Sequence, residues 1–213
     1  MQVKWRNFVE RHSRCSKCRN EGLLDQRALP LFTKCPPRSF EILFILEAPN
    51  PDDTYNPNKR YISVDPNTDP SGSLLHDLFI NELQFSFVDL FITNSVLCLP
   101  LEKKKGKFPV YAWQRNNCLP ILRQMIDVFC PLIVCPLGCK ALYATEQIFP
   151  HGYRRMAEAA AIPTPWYDRV LFPLFHTGRK ARNSRNGRPV HQQRADWRRL
   201  RALWEHLKAK QSP

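Results

Sequence analysis

The chain has 213 residues, 43% of them hydrophobic, and carries 32 Lys and Arg against 19 acids for a formal charge of +13. That length suits one domain with a sizeable core. No stretch approaches the roughly 20 apolar residues of a membrane span, and Met1-Gln2-Val3-Lys4-Trp5-Arg6 lacks a signal peptide's apolar run, so a soluble, cytoplasmic protein is expected, monomeric by default and with no membrane partner.

Residues 1–40 read as a helical start, then a C-x-x-C pair, Cys15 and Cys18, flanked by Arg14, Lys17 and Arg19, then a connection running from Pro30 through Pro37. The core begins at Glu41, and residues 41–213 read as an α/β unit closed by a helix, the whole chain being a single domain. Ile42 to Leu46 has the length and branching of a strand buried on both faces, and Pro49 and Asn50 break it. Glu47 thus stands at a strand's carboxyl end, the edge of an open α/β sheet where ligands bind.

A long loop follows to Gly72, and Ser71 or Ser73 can cap a helix through Leu74, Leu75, Leu78 and Phe79. Three further apolar runs, Val88 to Asn94, Leu132 to Leu137 and Val170 to Phe175, have strand length and β-branched or aromatic content. Helical patterns fall between them, over about Asn117 to Phe129 and from Gly138 onward, as a parallel sheet requires. The loop from Leu99 to Trp113 is again long, which often marks function. A last helix over about Arg194 to Lys208 shows a stripe of Trp197, Leu200, Trp204 and Leu207 that reads as packing.

Charge is uneven. From Arg169 to Ala195 there is no acid, while Arg169, Arg179, Lys180, Arg182, Arg185, Arg188 and Arg194 fall there, a density expected of a phosphate-binding surface. Eight cysteines in a cytosolic chain point to metal or core thiols rather than disulfides. Cys35, Cys130, Cys135 and Cys139 sit beside prolines or in apolar sequence and read as small hydrophobes. Cys98 and Cys118 lie either side of the polar loop. Three strands end in residues able to do chemistry: Glu47, Asn94 and His176.

In order and spacing these segments resemble the uracil-DNA glycosylase superfamily, most closely its iron-sulfur branch, family 4. Leu46-Glu47-Ala48-Pro49-Asn50 is similar to that branch's Gly-Glu-Ala-Pro-Gly, and Thr93-Asn94-Ser95-Val96-Leu97-Cys98 to its strand ending in Asn with a cysteine close behind. Pro131 through Gly138 matches its proline, apolar strand and Leu-Gly, and Phe175-His176-Thr177-Gly178 its final strand and His-Pro-Ser. The resemblance implies a three-layer α/β/α fold with a central four-stranded parallel sheet. It implies a monofunctional DNA glycosylase of base excision repair that hydrolyses the N-glycosidic bond of uracil, or a related deaminated base, in DNA. The alternative on the same fold is a non-catalytic or weakly active binder of DNA or damaged bases.

The resemblance also implies a 4Fe-4S cluster on Cys15, Cys18, Cys98 and Cys118, structural in role, which makes residues 1–40 a cluster-binding segment. Four thiolates by themselves suit tetrahedral zinc equally. By the same likeness His176 would donate to the base O2, Asn94 would read the pyrimidine edge, and Glu47 would position or deprotonate the attacking water. Ala48 and Pro49 would line the substrate. Tyr61 stands about where the family has a base-stacking Phe, and Gly178 with Arg179, Lys180, Arg182 and Arg185 would engage DNA. The chain departs from the pattern at Leu46, Asn50 and Thr177-Gly178, at Ala48 where many members have Asp or Asn, and in an insertion from Tyr61 to Leu74. Asp52 and Asp53 match an acidic pair of the family and could equally cap the loop. A divergent member is therefore expected.

Overall fold

A computed structural model of the chain describes residues 1–22, 24, 28–33, 36–56, 58, 61–62, 70–86 and 89–211. Cys35, Val88 and residues 63–69 of the Tyr61–Leu74 insertion lie outside the described residues. In chain order the elements are α1 (Gln2–His12), α2 (Lys17–Asn20), β1 (Ile42–Leu46), α3 (Pro51–Tyr55), α4 (Pro70–Asp77), β2 (Phe91–Asn94), α5 (Ala112–Phe129), β3 (Ile133–Pro136), α6 (Cys139–Ile148), α7 (Met156–Ala159), β4 (Thr164–Trp166), β5 (Arg169–Leu171), α8 (Arg179–Asn183) and α9 (Val190–Ala209), with a π-helical turn at Leu78–Leu83 continuing α4. None of the described helices is long and apolar enough to cross a membrane.

The sheet runs β2-β1-β3-β5-β4. The first four strands are mutually parallel, as expected, with Leu46 opposite Asn94 and Ile133 opposite Val170. Beyond the four parallel strands expected, a fifth joins the edge, because Thr164-Pro165-Trp166 pairs antiparallel with β5. The turn between them is only Tyr167 and Asp168, with Tyr167 at φ +58°. Without Gly or Asn that turn carries no sequence signal, and Pro165 is tolerated because its strand is at the edge.

Alternation along β1 explains the three layers. Leu43 and Ile45 point into one core with Trp5, Phe8, Phe40, Phe91 and Phe129. Ile42 and Phe44 point into the other, with Phe79, Phe172 and Trp197. Trp197 stacks on Phe44 at 5.5 Å and 8°, which makes the stripe of α9 a packing face as read from the sequence. Trp5 places α1 in the first core, its ring 5.6 Å from Phe129 and 5.8 Å from Phe91. Helix α5 starts at Ala112 rather than Asn117, and in its first turn the Gln114 side chain accepts the Tyr111 N–H at 2.9 Å.

Two readings of residue groups are corrected here. Of the four cysteines read as core thiols, Cys135 is fully buried, but Cys130 and Cys139 are exposed. Cys130 ends α5 in a left-handed conformation, and Cys139 opens α6 on its solvent side. The acid-free basic segment also divides. Arg188 grips buried Asp196 at 2.6 and 2.7 Å, Arg194 bonds Glu82 and Asp77, and Arg169 bonds Asp168 and the Ile126 carbonyl. Their partners lie outside the acid-free segment or just before it, so the charges look unpaired in one-dimensional sequence while three of the seven are engaged in the fold.

Candidate active site

β1 passes the chain toward β2, whereas β3 passes it toward β5 on the other side. The carboxyl ends of β1 and β3 therefore flank a topological switch point, where open α/β sheets form their ligand crevice. The segments that follow β1, β2, β3 and β5 begin with Glu47, Ser95, Leu137 and the stretch leading to His176. Parallel register brings these ends together: Ser95 donates its backbone N–H to the Leu46 carbonyl at 2.8 Å, and its hydroxyl to the Glu47 carbonyl at 2.7 Å. Gly138 N–H bonds the Leu174 carbonyl at 2.8 Å, continuing the β3–β5 pairing toward His176.

A cavity of about 280 Å³ opens at this edge, and its walls include Glu47, Ala48, Pro49, Asn94 and His176, five of the six catalytic and substrate-binding candidates read from the sequence. Tyr61 is not among its described lining residues; its neighbour Ile62 is, and Phe108 contributes an aromatic ring to the wall. Phe108 lies in the long loop after β2, and loop length was the only sequence signal for it. Asp53 also lines the cavity at 2% exposure. Asn50 accepts the Asp52 N–H at 2.9 Å as the cap of α3, at φ −76°, a conformation that needs no glycine.

Asn94 is 2% exposed, and among the described residues neither its amide nitrogen nor its amide oxygen has a hydrogen-bond partner. Buried polar groups are paired in the great majority of cases, since an unpaired one costs about 1–3 kcal/mol. A donor and an acceptor left together on a cavity wall are matched to a ligand edge that offers the complementary pair.

His176 is held from two sides. Its Nδ1 accepts the Gly178 N–H at 2.9 Å. Because a backbone N–H can only donate, Nδ1 is unprotonated, and the proton of the neutral ring is on Nε2. A Cβ at Gly178 would stand 2.9 Å from that Nδ1, and one at Gly138, whose φ is +87°, would stand 3.1 Å from the His176 Cβ. Thr177 fastens the same segment by donating to the Ser71 carbonyl at 2.7 Å.

A second, larger groove of about 750 Å³ shares Glu47 and His176 with the cavity. Gly178, Arg179 and Lys180 line it, and so do Lys140, Arg154 and Arg155, which the sequence reading did not single out. Arg185 is exposed beside it, whereas Arg182 turns inward with its Nε buried. Lys140, Arg154 and Arg155 belong to α6 and the loop after it, and only folding brings them to face α8.

Cys15, Cys18, Cys98 and Cys118 converge on one small cavity of about 10 Å³ together with Leu24, Pro30, Leu97, Asn117 and Ile121, and none is in a disulfide. Burial, then the neighbouring thiols, pushes Cys98 far above the usual thiol range, and burial pushes Cys118 up to about 12. Asn117 donates to the Cys18 sulfur at 3.5 Å. Among the described residues no three or more Cys, His, Asp or Glu side chains stand in metal-binding geometry, so the donor set fits a tetrathiolate site in number and chemistry while its sulfurs are not drawn together as ligands.

No curated protein matches the chain. A family model described as the uracil DNA glycosylase superfamily matches residues 32–207, a span that includes Cys98 and Cys118 and begins after Cys15 and Cys18.

Proposed function

The chain belongs to the uracil DNA glycosylase superfamily, whose members are DNA glycosylases, and from that membership we propose that it is a monomeric, monofunctional enzyme of base excision repair that releases uracil from DNA. The observation that carries the reading is Asn94, a buried amide on the cavity wall whose two polar atoms have no partner among the described residues. Its N–H would donate to the uracil O4 and its oxygen would accept the N3–H; cytosine presents an amine and a bare N3 there and mismatches both.

The chemistry has two demands. The departing base carries negative charge while the sugar becomes oxocarbenium-like, so charge must be stabilised on the base and water placed at C1′. His176, neutral and protonated at Nε2, donates to the base O2 as that oxygen gains charge, with the Gly178 N–H fixing the tautomer. Glu47 orients the water and offsets the sugar's positive charge. With Ala48 beside it, no second polar side chain at that step of the chain shares this work. Phe108 supplies the aromatic wall for the extruded base in place of Tyr61, and Arg179, Lys180, Lys140, Arg154 and Arg155 hold backbone phosphates.

We further assign Cys15, Cys18, Cys98 and Cys118 to a 4Fe-4S cluster, with zinc as the alternative that iron and zinc content decides. Bound, the group would supply structure by tying α2 to the segment after β2 and to α5. The catalytic residues lie in a separate cavity.

The test is incubation of purified protein with single- and double-stranded oligonucleotides containing uracil, hypoxanthine or cytosine, followed by alkali. Strand cleavage at uracil and none at cytosine is expected; cleavage no greater than that by a Glu47→Ala/His176→Ala variant overturns the reading. Gly178→Ala offers a finer check. Its methyl would force His176 off its bond, so single-turnover excision should fall about tenfold, roughly 1.4 kcal/mol, with little change in Tm. An unchanged rate would show that the bond does not position the ring.

A further inference from the structure

The loop between Cys98 and Phe108 contains Glu102-Lys103-Lys104-Lys105-Gly106-Lys107, a lysine cluster that the pocket chemistry does not use. It is a folded turn: Lys103 N–H bonds the Lys107 carbonyl at 3.0 Å, Lys107 N–H bonds the Lys104 carbonyl at 2.7 Å, and Gly106 adopts φ +73°. The only acid of the turn, Glu102, accepts the Gly106 N–H and serves to close it. All four lysines are exposed, and none has an acidic partner among the described residues. Four ammonium groups held together by backbone bonds repel one another, a cost that scattered solubilising lysines avoid.

Position gives the cluster its meaning. Immediately after Lys107 come Phe108 and Val110, both on the wall of the catalytic cavity. The turn therefore sits at the rim of that cavity on the β2 side. The groove with Arg179 and Lys180 opens on the β5 side. Between β2 and β5 lie three inter-strand steps of ~4.8 Å, a span of ~14 Å, equal to about four base-pair rises of ~3.4 Å.

We propose that the Lys103–Lys107 turn is a second phosphate-binding arm that holds the DNA backbone on the opposite side of the extruded nucleotide from Arg179 and Lys180. The inference rests on the glycosylase reading for its ligand and adds a site to it. Two grips bracketing the pocket hold the flanking backbone while the nucleotide between them rotates out, which helps offset the cost of unstacking.

Salt dependence tests it, with a short uracil-free duplex as the probe so that excision plays no part. Each phosphate contact contributes a slope of about −0.9 to log Kobs against log salt. A variant with Lys103, Lys104, Lys105 and Lys107 all changed to alanine should flatten the slope by about 3.6 if each lysine holds one phosphate, and the all-arginine variant should retain the wild-type slope. A control removing the same charge elsewhere, at Lys4, Arg6, Arg199 and Lys210, should leave the slope near wild type. Equal slopes for the alanine variant and wild type overturn the arm, as does an equal flattening by the control. A wild-type protein with no salt-dependent DNA binding overturns the glycosylase reading and the arm with it.

Discussion

His176→Ala is expected to slow single-turnover release of uracil by about 10²–10³-fold, roughly 2.7–4 kcal/mol of transition-state stabilisation. The size follows from where the charge goes. The base leaves as an anion, and a donor aimed at its oxygen inside a cavity with little water is worth far more than the same donor in solvent. Because His176 Nδ1 is already used as an acceptor for the Gly178 N–H, the proposed donor is neutral Nε2–H, whose interaction with an uncharged ground-state base would be weak and would strengthen as charge develops. The loss should therefore fall on kcat with KM little changed. A fall of less than tenfold would show that other groups stabilise the leaving base. Comparison with Gly178→Ala separates removal of the donor from its misalignment, since that variant keeps the imidazole and disturbs only its support.

The second large effect is expected of Cys98→Ser. Cys98 is buried, shares one cavity with Cys15, Cys18 and Cys118, and sits on the segment that joins β2 to the lysine turn and the Phe108 wall. Structural metal sites contribute folding free energy directly, on the order of 10 kcal/mol in small metal-dependent domains, as large as the whole stability of an ordinary domain. Replacing one thiolate of four should abolish the visible absorbance of an iron-sulfur cluster, reduce bound metal to background and cut soluble yield severely. Metal content equal to wild type would remove Cys98 from the ligand set. Zinc without iron in the wild-type protein would replace the cluster by the tetrahedral alternative while leaving the four ligands in place.

Much of the site was legible because strand ends are legible. Apolar runs of four to eight residues mark buried strands, and the residues that follow them fall at the sheet's carboxyl edge, so Glu47, Asn94 and His176 could be grouped before any coordinate. Phe108 was not legible, because an aromatic in a loop has no periodicity to say which way it faces. Tyr61 was placed by its position beside a divergent insertion, and a position of that kind does not fix a contact: in the fold Ile62, not Tyr61, is among the residues that line the cavity. Arg188 and Arg194 misled in the same direction. Their carboxylate partners, Asp196, Asp77 and Glu82, lie on α9, α4 and the π-helical turn, and a count of charges along a segment is blind to pairing across it.

By itself the sequence determined the order of the four parallel strands and of the main helices between them, the parallel character of the main sheet, and the residue types available at its carboxyl edge, since these follow from hydrophobic period and from local breakers such as Pro49, Pro131 and Gly138. Tertiary structure alone decided which of those residues share a cavity, which basic side chains remain unpaired, and that β4 closes the sheet as a fifth strand. The physical reason is range. Burial alternation and turn chemistry act over a few residues and are written in them, whereas the pairing of Gly178 N–H with His176 depends on how a loop is held, and the meeting of Lys140 with Arg179, or of Cys18 with Cys118, depends on long-range packing that no local pattern encodes.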